Sequence, residues 1–402
     1  MNILIFNHHA LTPDMGGGTR HFDFAKELVG RGHQVTIIAS SFHYASYTEM
    51  KSYKEFDFLK ESIEGVQFIW IKTRPYRGNG ISRVLNMLDY MMKALDVKID
   101  VRPDVIIGST VHLFAVYAAF RVAKKYSVPF VMEVRDIWPQ TLIDMGMSKW
   151  HPFILLLSRL ERFLYKKADK IITLLPHADE HIKNFGIKAK DIVWISNGVD
   201  VTRFRGLERE RKDEVFLVTY AGSMGNSNGL HTLMEVAKEL DGENRDIRFK
   251  LIGEGALKQE LLLFKDKHAL TNVEILDAVS KDEVARVLKE SDVLYVGLKD
   301  SPLYRFGMSL NKLFDYLAAE VPVIFASNIK NNPIEEAQAG LCIPPENRDM
   351  LQSAVLELYK MSKEERNALV EGNLNYIENN FSIQFLTNKL ENLLNGLVWK
   401  KK

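Results

Sequence analysis

The chain has 402 residues, enough for two domains of ordinary size, and 46% of them are hydrophobic, enough for each domain to bury its own core. A net charge of +1 argues against a general nucleic-acid binder. One cysteine, Cys342, rules out an internal disulfide and a cysteine-built zinc site; its run "AGLCIPP" predicts a buried strand and an inert core thiol.

The charge is unevenly spread. Residues 1–200 hold 26 Lys/Arg against 21 Asp/Glu, net +5, and the remainder holds 27 against 31, net −4. Nine of the 11 histidines also fall in the first part. A mildly basic half suits an anionic partner or a membrane surface.

In chain order, the strand-like runs are "NILIF", "QVTIIAS", "VQFIWI", "DVIIGS", "PFVMEV", "KIITLL" and "IVWIS". Helices are predicted between them over 19–30, 82–97, 111–126, 151–167 and 177–185. Several strands are continuous apolar runs, as strands covered on both faces should be. Strand-like residues begin at Asn2, so no secretory leader is expected. No apolar run reaches about 18 residues, so no spanning helix is expected. Residues 197–214 are charged and linker-like.

The pattern then restarts with "VFLVTYAG", a glycine loop, and the helix "LHTLMEVAKEL". Further strands are "RFKLIGEG", "VEILDAV", "VLYVGL", "VPVIFAS" and "LCIPP", and the chain ends in helices "ENRDMLQSAVLELYKM", "KEERNALVEGNLNYIENN" and "SIQFLTNKLENLLNGLVWKKK". Alternation of this kind predicts two Rossmann-like α/β domains with parallel sheets. The expected division is 1–200, 201–380, and a terminal helix over 381–402 packing back on the first domain. Ligands of such sheets bind beyond the carboxyl ends of the strands, so the expected site is a cleft with the two domains facing each other.

Three glycine loops follow strands. Gly16, Gly17 and Gly18 precede a helix whose first turn holds Thr19 and Arg20. Glycine admits an anion close to the backbone, and helix amides with their dipole favour it. The pattern G-x-G-x-x-G is absent, and the second strand ends "IIASSF" without the acid a dinucleotide ribose needs, which disfavours NAD. No Walker loop occurs either. The second loop, "AGSMGNSNG", and the third, "GEG" (Gly253, Glu254, Gly255), predict a glycine-lined floor for a nucleotide-sized ligand.

The order "GGGTRHFDFAKELVGRGHQVT", "EVRDIWPQTLIDMG", "SNGVD", "YAGSMG", "LIGEG" and "NKLFDYLAAEVPVI" resembles the family 4 glycosyltransferases over nearly the whole chain. Within them it is most similar to bacterial O-antigen and capsule transferases assigned to N-acetyl-L-fucosamine. The resemblance implies a GT-B fold, a nucleotide-sugar donor held mostly by the second domain, an acceptor held by the first, and retention of anomeric configuration. Two departures stand out. The Arg and Lys that commonly hold the donor diphosphate, five apart, fall on Ser223 and Asn228. The paired-Glu pattern falls on Gly307 and Asp315, and the glycine that closes it is Glu320.

A departing nucleoside diphosphate gains negative charge and needs a cation. Lys312, beside Asn311 at the start of "NKLFDYLAAE", is the first candidate, and Arg305 in "SPLYRFGMS" the second. Asp315, three residues after Lys312, lies on the same helix face and is assigned to the ribose hydroxyls by the resemblance; an exposed Lys312–Asp315 ion pair is the structural alternative. Gly17, Gly18, Ser223, Gly253 and Glu254 complete the expected donor contacts.

No two aspartates are separated by two positions, and no His/Cys cluster appears, so neither a metal nor a cofactor is expected; His8 and His9 are adjacent and would diverge on a strand. His112 follows the strand "DVIIGS" and is expected to contact sugar or acceptor, as the resemblance implies. Glu133, Arg135 and Asp136 end an apolar strand; an Arg135–carboxylate pair, or a role in orienting the acceptor hydroxyl, would account for them. A retaining route by same-face attack needs no protein nucleophile, though Asp136 or Glu133 could serve as one. The stretches 148–170 and 81–98 mix apolar and basic residues, which suits anionic lipid as well as core packing.

The expected activity is therefore metal-independent transfer of an N-acetylhexosamine-type sugar from a UDP-sugar to a polyprenyl-diphosphate-linked acceptor, by an enzyme lying on the inner face of the cell membrane. The alternatives are a UDP-sugar 2-epimerase and a non-catalytic sugar-nucleotide-binding subunit.

Overall fold

The computed structural model describes residues 1–15, 17–54, 56–110, 112–211, 215–242 and 246–399; Gly16 of the first glycine run, Val111 at a predicted helix start and 212–214 of the linker lie outside them. Contacts divide the chain into two compact units: Met1–Asn197 with Phe306–Ser309 and Ile383–Lys402, and Gly198–Arg305 with Leu310–Ser382.

The strands of the first unit are β1 (Asn2–Phe6), β2 (Gln34–Ser40), β3 (Phe42–His43), β4 (Thr48–Glu49), β5 (Phe58–Ile63), β6 (Val66–Ile71), β7 (Val105–Ser109), β8 (Phe130–Val134), β9 (Lys170–Thr173) and β10 (Ile192–Trp194). Its helices are α1 (Arg20–Gly30), α2 (Ile81–Asp96), α3 (Leu113–Tyr126), α4 (Gln140–Asp144), α5 (Pro152–Lys167) and α6 (Ala178–Lys183). The eight-stranded sheet runs β10-β9-β8-β7-β1-β2-β6-β5. All pairs are parallel except β5–β6. Along β1, Ile3 and Ile5 face the α1 side, while Leu4 and Phe6 face α2, α3 and α5, so both faces are dry. β5 was not foreseen: at the sheet edge its residues are only half-buried or exposed, and no apolar run announces it.

Order reverses between β7 and β1, which opens a crevice at their carboxyl ends. Gly108 in β7 lets α3 close on the sheet there; a Cβ would lie 2.7 Å from the Ala119 Cβ and 3.1 Å from the Val116 backbone.

The second unit holds β11 (Phe216–Ala221), β12 (Ile247–Ile252), β13 (Val273–Leu276), β14 (Val293–Gly297), β15 (Val323–Ala326) and β16 (Gly340–Ile343). Its helices are α7 (Leu230–Asp241), α8 (Lys258–Lys267), α9 (Lys281–Lys289), α10 (Asn311–Ala318), α11 (Pro333–Glu336), α12 (Arg348–Lys360), α13 (Lys363–Val370) and α14 (Asn373–Asn380). The sheet order is β13-β12-β11-β14-β15-β16, all parallel, with its reversal between β11 and β14. α15 (Ile383–Val398) belongs to the first unit, where Ile383, Leu386, Leu390 and Leu394 join the α1 core.

Two expectations are corrected here. The stretch "KEERNALVEGNLNYIENN" is two helices, parted at Gly372, whose φ of +88° ends the helical run. Cys342 is not a core thiol: it is exposed on the edge strand β16, with the Asn332 amide 3.0 Å from its sulfur.

Candidate functional site

In the second unit the loop 222–229 leaves β11 at the point where strand order reverses. Three tyrosine hydroxyls fix it. Tyr220 donates to the Ser223 carbonyl at 2.5 Å, Tyr295 to the Gly229 carbonyl at 3.1 Å, and the Tyr316 hydroxyl accepts from the Ala221 amide at 2.7 Å. Lys312, on the first turn of α10, reaches over this loop. Its ammonium donates to the Tyr220 hydroxyl at 2.7 Å and to Asn228 Oδ1 at 3.2 Å, and stands 4.3 Å from the Tyr220 ring centroid. These partners are neutral. Burial holds the Lys312 pKa down at about 7. The helix itself starts at Asn311, and Leu310 before it supplies no side-chain cap.

The Lys312–Asp315 pair does not form. Asp315 Oδ1 instead takes the Arg203 guanidinium at 2.8 Å. Three residues on a helix share a side of the cylinder, but here Lys312 turns to the loop and Asp315 to Arg203. Asn311 is exposed at the helix start. Arg305 is exposed at the end of the turn Pro302–Tyr304.

The loop glycines answer to a different constraint from the one expected. A Cβ on Gly253 would lie 1.9 Å from the Gly222 carbonyl oxygen, and one on Gly255 2.4 Å from that of Met224. These two glycines let loop pack on loop rather than loop on ligand. Gly222 is the position that faces the cation: its Cβ would lie 3.1 Å from Lys312 Nζ. Glu254 fixes the packing through its carbonyl, which accepts from the Met224 amide at 2.7 Å, while its carboxylate pairs with Lys258. Ser223 is exposed, and Asn228 is buried with its amide nitrogen 2.7 Å from the Ser223 carbonyl. Asn228 thus ties the loop and orients Lys312.

In the first unit, His8 and His9 follow β1 in a turn, not on a strand, and their rings stack with centroids 4.2 Å apart instead of diverging. His8 also stacks on Tyr90 at 4.3 Å, and its Nδ1 lies 2.6 Å from His112 Nε2. His112 caps α3: its Nδ1 accepts the Ala115 amide at 3.2 Å. Both of its nitrogens are therefore engaged and the residue is buried. The polar contacts of His112 among the described residues are thus with His8 and the Ala115 amide. Burial lowers the pKa of all three imidazoles, that of His9 to about 3, with further lowering by neighbours that include Arg83.

Glu133 does not pair with Arg135. It is buried and takes four hydrogen bonds: two from Arg20 at 3.0 and 2.9 Å, and one each from His21 and Ser109 at 2.6 Å. Burial disfavours its charge, but His21, Arg20 and Ser109 outweigh that and hold its pKa well below the ordinary value. Arg20 also donates to the Ile195 and Ser196 carbonyls, so it faces inward rather than into the glycine loop. Asn7 joins this network to the site, accepting the His9 amide at 3.1 Å and contacting His21 at 2.7 Å. A carboxylate held this way is a support, not a nucleophile. Asp136 follows β8 directly; desolvation of its carboxyl raises its pKa, against the pull of Arg135 and Arg83. Gly17 is exposed with φ +89°, where a Cβ would meet Leu11 at 2.9 Å, and Gly18 is half-buried beside it.

Tyr220 and Tyr295 were not singled out from the sequence, and His8 was set aside with His9. The repeated Tyr-x-Gly that ends "VTYAG" and "VLYVG", and the polar "NHH" after an all-apolar strand, were the available signals.

Comparison with known proteins places these features in a family. Residues 15–203 match the model for Glycosyltransferase Family 4, and 215–361 match that for Glycosyl transferases group 1. The putative colanic acid biosynthesis glycosyl transferase WcaI of Escherichia coli is 21% identical over 311 residues, 73% of this chain and 75% of that protein. Sucrose-phosphate synthase from Thermosynechococcus elongatus superposes with a TM-score of 0.75 at 12% identity, over 99% of both chains. Anabaena HepE, solved with UDP and glucose, gives 0.67 at 13% identity over 99% of this chain and 100% of that one. At such identities the two structures carry the fold alone.

Proposed function

Since the chain belongs to the family 4 glycosyltransferases, we propose that it moves a sugar from a UDP-sugar to a polyprenyl-diphosphate-linked acceptor in the synthesis of a surface polysaccharide. The name of the colanic acid relative and the UDP bound by Anabaena HepE support the pathway and the donor. An N-acetylhexosamine, N-acetyl-L-fucosamine among them, is the sugar class favoured by the sequence resemblance.

One observation carries the reading: an ammonium with no carboxylate partner among the described residues, held over a glycine loop at the carboxyl end of β11 and at the start of α10. A diphosphate there gains both the lysine and the helix amides, and the charge that develops on the leaving UDP is met without a metal ion. As the bond from the anomeric carbon to phosphate breaks, the acceptor oxygen bonds the same face, and its proton passes to the leaving phosphate oxygen. Glu133 is already saturated with donors, which favours this route over a double displacement.

Membrane contact is proposed for the outer side of α5. Ile154, Leu157 and Leu164 face the core, while Leu155, Leu156 and Phe163 are exposed beside exposed Arg159, Arg162, Lys166 and Lys167; Trp150, just before the helix, is 72% exposed. Apolar side chains ringed by cations suit an anionic leaflet. Among the described residues no helix is long and apolar enough to cross a membrane.

The test is a screen of UDP-sugars by thermal shift, followed by transfer of the best donor to a polyprenyl-diphosphate-linked sugar. UDP release that requires the acceptor supports the reading. Release or epimerisation without acceptor would overturn it in favour of an epimerase, and firm UDP binding with no transfer to any acceptor would favour a binding subunit.

A further inference from the structure

The crevice between β1 and β7 holds a chain of imidazoles whose protons are set one by another. His112 Nδ1 accepts the Ala115 amide, so in the neutral ring the proton is on Nε2. That Nε2–H points at His8 Nδ1, 2.6 Å away, which must accept. The proton of neutral His8 then sits on its Nε2. Among the described residues this buried nitrogen has no partner, and neither ring nitrogen of His9 has one. A backbone amide of α3 thus fixes a donor at His8 Nε2 that no described residue satisfies, a state that costs free energy until an acceptor arrives.

Two guanidiniums bear on the same place. Arg83 of α2 acts on His8, His9 and His112, and Arg135 acts on His9. Among the described residues the Arg83 guanidinium bonds the Asn79 side chain alone, and its buried Nε lacks a partner. Neither arginine forms an ion pair among them. Asp136 is the carboxylate on which both act, and it reaches ion-pair distance with neither. Donors outnumber acceptors here. A neutral hydroxyl could satisfy one or two of them; a group with several charged oxygens could satisfy them together.

We propose that His8, Arg83 and Arg135 form a subsite for an oxyanion, phosphate or carboxylate, carried by the substrate that receives the sugar. The donor function read above enters only in saying which substrate carries the group.

The test uses the full chain with ¹⁵N-labelled histidine and UDP at saturation, so that the loop under Lys312 is already filled. Long-range ¹H–¹⁵N spectra read the tautomers, and pyrophosphate, glucuronate and glucose are titrated in turn. His8 and His112 should both carry their proton on Nε2. Pyrophosphate or glucuronate should move the His8 Nε2 resonance, and glucose should not; the two anions separate a phosphate-bearing from a carboxylate-bearing acceptor. Arg83→Ala and Arg135→Ala should each weaken the anion that binds by about tenfold or more, as expected for a charge-assisted hydrogen bond, and leave UDP affinity within about twofold. Equal shifts with glucose, no anion response once UDP is bound, or unchanged affinity in the double variant would each overturn the subsite. Failure of acceptor-dependent UDP release would overturn the transferase reading instead and leave these spectra as they are.

Discussion

Lys312→Met separates function from folding because the two should move in opposite directions. The lysine is held among neutral partners, and burial takes its pKa from 10.5 to about 7. Below pH 7 the folded chain therefore carries the full penalty of a desolvated ammonium, and the penalty fades as pH rises from 7 toward 10.5. The shift is an upper limit of about 5 kcal/mol; partial exposure and screening reduce it to roughly 1–2 kcal/mol. Removing the charge should raise the melting temperature at pH 7 by a few degrees. Removing it should also delete a charge-assisted bond to diphosphate, about 1.5–3 kcal/mol, or roughly 10- to 150-fold in UDP affinity. Turnover should drop by about 10²-fold or more. Calorimetry in buffers of different ionisation enthalpy adds a signature. The half-protonated lysine should take up about half a proton on binding UDP at pH 7 and nearly a whole one at pH 8, with affinity falling about fivefold between them. UDP binding within twofold of wild type, equal proton uptake in the variant, or lost binding together with a lower melting temperature would refute the reasoning.

The buried imidazoles make acid stability a second readout. His8, His9 and His112 stay neutral in the fold and take up protons when unfolded below pH 6.5, so stability should fall as pH drops from 6.5 toward 3. Three such groups give a slope of about 4 kcal/mol per pH unit near pH 5, and His112→Asn, which keeps a capping side chain on α3, should remove about a third of it in urea titrations. Arg20→Ala leaves the Glu133 carboxylate buried without its cation and should cost about 3–5 kcal/mol in the same assay. Glu320 closes the α10 turn with φ +51°, where the resembled family has glycine. Glu320→Gly should relieve that conformation and stabilise by roughly 0.5–1 kcal/mol, even though the Lys289 contact at 3.4 Å is lost.

The architecture was legible because parallel strands covered on both faces leave unbroken apolar runs, as "DVIIGS" and "VLYVGL" do. β5 escaped because an edge strand has no buried face to advertise, and α8 because only Leu261 of its residues is buried. Site residues were legible as types and not as partners. Glu133 was visible at a strand end, but Arg20, its cation, lies 113 positions away, and the His8–His112 bond spans 104. Local spacing cannot report such contacts; they appear only when β1, β7 and β8 are set side by side. The same limit explains the glycines. Sequence showed that the backbone must come close to something at Gly253, and only the fold says that the something is Gly222.

Ser223 and Asn228 stand where the resembled pattern carries cations, and this need not remove the positive charge from the proposed diphosphate site. Lys312 brings an ammonium to within 3.2 Å of Asn228 Oδ1, so the charge enters the same loop from α10 instead of from the loop itself. If position matters and provenance does not, charge can be moved back. Asn228→Lys combined with Lys312→Met places an ammonium on the loop and relieves its neighbour, avoiding the like-charge contact that Asn228→Lys alone would create. The double variant should recover at least about tenfold of the UDP affinity lost in Lys312→Met, the lower bound for one charge-assisted bond. A folded double variant that binds no better than Lys312→Met would show that the site needs its cation on α10, where the helix amides act on the same phosphate, and that a charge delivered from the loop is no substitute.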